Sequence, residues 1–167
     1  SPDCATWSGL GNAFEEPDND EKRAKRARAR AEVKKILEIM KFVKQVQSER
    51  NEPCYLSLEQ PRSGKLKLEA FIKDELEKRL GARRLSVSFC KWDAQVQKDT
   101  LIWSDSTTCI RVLGQEAWRC TRCRPCPLVY AGFDHKAVRG STLDAQPFPP
   151  EFAKIMARCY ANDIMRK

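Results

Sequence analysis

Long apolar runs are missing from this 167-residue chain, and histidine occurs once, at His135. No stretch approaches the roughly 20 apolar residues that a membrane-spanning helix needs, so no membrane partner is expected. No charged-then-apolar segment opens the chain, which therefore reads as unsecreted and intracellular. Ser1 stands where an initiator methionine would, so the natural chain is expected to begin upstream. No internal repeat or low-complexity tract interrupts it, and the length suits a single domain over 1–167. With one histidine, any imidazole chemistry must fall on His135, and metal ligation is the role that suits it best.

What is present is charge and sulfur. Hydrophobic residues make up 41%, enough for a real core, and the formal net charge is +8. The basic excess is local: eight Lys and Arg fall between Lys22 and Lys35. Such a run attracts phosphate backbones without reading their sequence, which makes Lys22, Arg23, Lys25, Arg26, Arg28 and Arg30 nucleic-acid-binding candidates. The plainer alternative is a solvated helix face. Of eight cysteines, three form Cys120-x-x-Cys123-x-x-Cys126, a spacing better suited to a metal than to disulfides, so reduced thiols are expected.

Hydrophobic spacing orders the elements. Val33, Ile36, Leu37, Met40, Val43 and Val46 recur as on one helix face, and Asn51-Glu52-Pro53 ends that helix. Cys54 to Leu58 has strand length, and the turn formers from Glu59 to Gly64 read as a loop. Leu66, Leu68, Phe71, Ile72, Leu76 and Leu80 predict a second helix, stopped by Gly81. Leu85–Phe89 and Thr100–Trp103 read as a strand and its hairpin partner. The stretch 109–146 has no periodicity, and Pro149-Pro150 opens a last helix with Phe152, Ile155, Met156, Cys159, Tyr160 and Ile164 as its buried stripe. Strands alternating with helices imply a mainly parallel sheet with its site at the carboxyl ends of strands, where Cys4 and Glu59 would lie.

A thiol and a carboxyl on neighbouring loops suit one demanding reaction. To activate cytosine, a thiolate adds to ring carbon 6 while an acid supplies a proton to ring nitrogen 3. Ser1-Pro2-Asp3-Cys4-Ala5-Thr6-Trp7-Ser8 resembles the Pro-Pro-Cys-x-x-Phe-Ser nucleophile loop of carbon-5 cytosine DNA methyltransferases, and Glu59-Gln60-Pro61 resembles their Glu-Asn-Pro acid loop. The order continues with Gly64-Lys65-Leu66-Lys67, Val87 to Trp92, Lys98-Asp99-Thr100-Leu101-Ile102-Trp103, a Cys/His segment and Pro149-Pro150-Glu151. That order is most similar to a divergent branch found in algal, plant and mobile-element polyproteins, and it covers nearly the whole chain.

The resemblance implies an α/β, methyltransferase-type (Rossmann-like) fold with a mainly parallel, truncated sheet and a Cys/His-rich, zinc-like subregion at 109–146. It implies Cys4 as nucleophile, Glu59 as acid, and Arg62, Lys98 and Trp7 as contacts to the base or phosphate. It also implies S-adenosylmethionine as cofactor, DNA in preference to RNA as partner, and a nuclear location. The chain departs from the pattern in four places. Asp3 replaces the second Pro beside the thiol, Gln60 replaces Asn, the basic triplet that orients the acid and the base is reduced to Lys98 or Arg62, and the glycine-rich loop for the methyl donor is expected upstream of Cys4. The chain on its own is therefore expected to be incomplete or inactive as an enzyme.

Two further readings compete: a zinc-stabilised basic module that binds nucleic acid, and a structural subunit of a nucleoprotein assembly. Cys120, Cys123, Cys126 and His135 offer four N/S ligands for tetrahedral zinc, with Cys109 and Cys159 in reserve; the alternative is a set of buried, unliganded thiols. Elemental analysis of purified protein is expected to find about one zinc per chain, lost on replacing Cys123 by Ser. A folded protein without zinc would remove the ligand set from every reading.

Overall fold

The structure, a computed structural model, describes residues 20–62, 66–92, 98–121 and 148–166. The long helix foreseen from the Val33–Val46 spacing is α1, Asp20–Glu49. Val33, Leu37 and Met40 are buried, whereas Val43 stays over a third exposed at the edge of the stripe. Past its end Asn51 takes a positive φ of 56°, a left-handed turn that Asn tolerates well.

Three strands follow: β1 (Ser57–Pro61), β2 (Arg83–Ser88) and β3 (Asp99–Ser104). They form one sheet in the order β1-β3-β2, and both pairings are antiparallel. The mainly parallel, Rossmann-like sheet is therefore not what these residues build. Alternation of strands and helices says nothing about which strands become neighbours. Here the β2–β3 hairpin folds back so that β3 inserts beside β1 and separates the two strands that run in the same direction. The expected zinc-like character of the fold also finds no support, since among the described residues no three His, Cys, Asp or Glu gather as a metal site.

Between β1 and β2 the expected helix is realised as a tight 3₁₀ turn, Leu66–Leu68, and a π-helix, Ile72–Arg79. The tight start swings Leu68 into solvent, 74% exposed, instead of onto the apolar face. Gly81 ends this segment with φ 69°, and the Ala82 amide donates back to the Leu76 carbonyl, one residue further back than in the usual α-helix stop, as the wider π turn requires.

Residues 109–146 were expected to be irregular, yet α2 spans Thr107–Leu113 and a short 3₁₀ turn Glu116–Trp118. The signal lies just upstream: Ser106 is the N-cap, its hydroxyl accepting from the Cys109 amide. Gly114 closes α2 because a Cβ there would stand 2.4 Å from the Ile110 carbonyl oxygen. The last helix, α3, runs Pro150–Met165 as foreseen, with Phe152 and Cys159 buried but Ile164 exposed.

Side-chain alternation divides the sheet between two cores. Leu58, Leu101 and Trp103 join Ala29, Val33 and Leu37 of α1 and Ile72 and Leu76 of the π-helix. Leu85, Val87 and Ile102 join Leu113 of α2 and Phe152 of α3 on the other face, with Phe89 and Trp92. The helices thus flank the sheet in two layers. No described helix is long and apolar enough to cross a membrane.

One carboxylate ties α3 to α2. Asp163, 4% exposed, accepts from the Ser106 hydroxyl at 2.6 Å, the Thr108 amide at 3.1 Å and the Thr107 hydroxyl at 3.2 Å, and from the Thr108 hydroxyl as well. It satisfies the opening amide of a helix that is not its own. Burial pushes its proton affinity up, but these donors outweigh it and hold the carboxyl at about 2, below its ordinary 3.8. Because the folded value lies below the unfolded one, the stabilisation is complete above about pH 5 and is lost as pH falls towards 2. Replacing Asp163 by Ala is expected to cost about 3 kcal/mol at pH 7 and much less near pH 3, read from urea midpoints at the two pH values. An equal loss at both would refute the ionised cap.

Candidate functional site

A grouping of charged and polar side chains lies at one end of the sheet, where β1 finishes and β3 begins. Edge strand β1 turns Leu58 and Gln60 towards the α1 core and Ser57, Glu59 and Pro61 to the opposite face. Pro61 is tolerated there because an edge strand leaves one side without a ladder partner. Glu59, expected in a loop after the strand, is instead inside β1, opposite Ile102 of β3. The ladder with β3 supplies backbone partners to what reads in sequence as a turn.

Glu59 is largely enclosed, its side chain 14% exposed, and Lys98 beside it is 15% exposed. The Lys98 ammonium lies 3.3 Å from Glu59 Oε1, and the Thr100 hydroxyl donates to the same oxygen at 3.3 Å. Both contacts fall on Oε1, so among the described residues Oε2 is the oxygen left for an incoming donor. Lys98 is held from behind as well, over the Phe89 ring at 5.1 Å.

Arg62 continues the cluster. Its amide donates to the Asp99 carbonyl at 2.8 Å, and its guanidinium lies 3.7 Å from Asp99 Oδ2. Asp99 accepts from the Ser88 hydroxyl at 2.6 Å, and that hydroxyl in turn accepts from the Cys120 amide at 2.9 Å. Lys67 donates to the Arg62 carbonyl. Burial, then the neighbouring Arg62 and Arg84, push the Lys67 pKa below its ordinary value, a sign of how cationic this end of the sheet is.

Glu59, Arg62 and Lys98, singled out from sequence, are therefore brought together, and the half-buried Cys120 reaches the same end through Ser88. Cys4, Trp7, Cys123, Cys126 and His135 lie outside the described residues. On α1, Lys25 and Arg28 are exposed; Arg23 pairs with Asp20, and Arg30 with Glu69 at 2.9 Å. Lys22 lies on the same helix and Arg26 is half-buried.

Trp103 is wholly buried, with its Nε1 donating to Glu77 at 2.8 Å. Trp92 is buried and stacks on half-buried Trp118 at 4.7 Å, so this pair serves the core instead of a nucleic-acid base.

Sequence reasoning missed Asp99, Ser88 and Thr100, whose value comes only from the register of β3 against both neighbours. It also missed Asp163, although a carboxylate on the apolar stripe of a helix is a signal in itself.

The buried thiols do not extend the site. Burial pushes the Cys109 thiol above its ordinary value, and burial followed by the neighbouring Cys109 pushes Cys159 up to about 12. Both are protonated and inert near neutral pH.

Behind Glu59 sits an anomaly. Gln60 is only 2% exposed, and among the described residues neither its Oε1 nor its Nε2 has a hydrogen-bond partner. A buried amide without partners costs about 1–3 kcal/mol. Replacing Gln60 by the near-isosteric Met is expected to raise the unfolding free energy by about 1 kcal/mol in urea titration; a loss would mean that the amide is satisfied in solution. No protein-family model, no curated protein and no solved structure matches this chain.

Proposed function

We propose that this chain is a cytosine-specific DNA methyltransferase-like domain, with Glu59 as the group that engages the base and Cys4 as its nucleophile. The observation that carries the reading is the enclosed Glu59 carboxylate, oriented by Lys98 and Thr100 through one oxygen, with the other left without a partner among the described residues. A carboxylate is the natural acceptor for the exocyclic amine of cytosine, and a proton shared between it and ring nitrogen 3 neutralises charge there.

The chemistry of the chain's own residues then follows. The Cys4 thiolate forms a bond to ring carbon 6, and the electrons of the carbon 5–carbon 6 double bond move towards nitrogen 3, where Glu59 holds the proton. Carbon 5 becomes nucleophilic and takes up a proton from solvent; loss of the original carbon-5 hydrogen to solvent then re-forms the carbon 5–carbon 6 double bond as the bond to carbon 6 breaks and the Cys4 thiolate leaves. Lys98 keeps Glu59 in place, while Arg62 is positioned to meet the base or a phosphate. S-adenosylmethionine does not fit the described residues: their two glycines, Gly81 and Gly114, are both helix stops and form no cradle for it. No step here passes through it.

Addition at carbon 6 can be read without a methyl donor, because it makes the hydrogen on carbon 5 exchangeable with solvent. The chain, within its full encoded polypeptide, is expected to catalyse deuterium exchange at carbon 5 of cytosine in duplex DNA. Exchange should vanish in Cys4→Ala and fall about 100-fold or more in Glu59→Gln. No exchange by the unaltered protein, or full exchange by Cys4→Ala, would refute the reading.

A further inference from the structure

Helix α1 is longer than the sheet it covers, and its charge lies in the surplus. Arg30 reaches Glu69, just beyond the Leu66–Leu68 turn that follows Arg62, while Lys44 pairs with Asp105, directly after the far end of β3. From Arg30 to Lys44 the helix rises about 21 Å, and a six-residue strand spans about 20 Å. That stretch therefore crosses the sheet from end to end. Asp20 to Arg28 must project about 13 Å further, past the end that holds Glu59, Arg62 and Lys98. In accord with this, Ala29 is the first buried residue among those of the helix whose burial is described.

The projecting segment and the turn after it carry two kinds of cation. Arg23, Arg30 and Lys34 are engaged, with Asp20, with Glu69 and over the Phe71 ring respectively. Lys25, Arg28 and Lys35 are exposed and make no ion pair with any described residue. Their spacing of three and seven residues puts them on one side of the helix along about 15 Å, the rise of roughly four nucleotides of one DNA strand. Ala24, Ala27 and Ala31, also exposed, separate the cations with small side chains that let a backbone approach closely.

We infer that this arm is a phosphate-backbone clamp for duplex DNA, holding the strand so that it runs on past the Glu59 end of the sheet. The clamp itself rests on charge and geometry; the choice of DNA over RNA rests on the cytosine reading above. Contacts of this kind fix register and orientation and read no sequence.

The test is equilibrium binding of a fluorescent DNA duplex to the full encoded polypeptide over a range of salt, with an RNA duplex of the same sequence in parallel. The variant Lys25→Glu/Arg28→Glu/Lys35→Glu is compared with Lys73→Glu/Arg83→Glu/Arg158→Glu, which makes the same charge change at exposed sites elsewhere. The arm variant is expected to bind DNA at least about tenfold more weakly at 0.1 M salt and to lose about three from the slope of log K against log salt, with the control close to the unaltered protein. Equal loss in the control, no loss in the arm variant, or tighter binding of RNA would overturn the inference. Carbon-5 exchange is read on the same samples: weaker binding by the arm variant alone, with no exchange by the unaltered protein, would leave the clamp standing and refute the chemistry, so the two failures are separable.

Discussion

Strand β3 is the member against which everything else is registered. It lies between both other strands and is buried on both faces from Thr100 to Ser104. Leu101 and Trp103 enter the core under α1, while Ile102 enters the one under α2 and α3. A slip of one residue would exchange these sets and put Thr100 and Ser104 under α1 in place of an indole. The Trp103 bond to Glu77 strengthens the constraint by locking the central strand to the π-helix as well as to its neighbours.

That central position also explains the polar cluster. Thr100, Asp99 and Lys98 are consecutive, yet they serve different partners: Thr100 and Lys98 hold Glu59 of β1, while Asp99 takes Ser88 of β2 and Arg62 beyond β1. Antiparallel pairing on both sides brings three separate parts of the chain to one edge. The expected parallel sheet would have joined them through strand ends instead. The same residues meet, but by a different construction.

Elements with strong local signals were legible: α1, the β2–β3 hairpin, the Gly81 stop and α3 all follow from spacing and caps. What failed depended on partners distant in sequence. Turn formers Glu59-Gln60-Pro61 became strand because β3 supplied a ladder, and α2 formed where no periodicity was visible because Ser106 and Asp163 cap it. Of the site, Glu59, Arg62 and Lys98 were readable one at a time, but their mutual contacts were not, since register is a property of pairs of strands.

The cap that Asp163 places on α2 has a temporal side. The donors at Ser106 to Thr108 leave the ribosome 55 residues before their acceptor does. At typical synthesis rates α2 would wait about 3 to 10 seconds with its opening amide served only by water, far longer than a short helix takes to form and melt. A seven-residue helix has little stability by itself, so during synthesis this segment behaves as a fluctuating turn. The second core thus assembles late, when α3 arrives, whereas every side chain of the α1 core has already been made once β3 is complete.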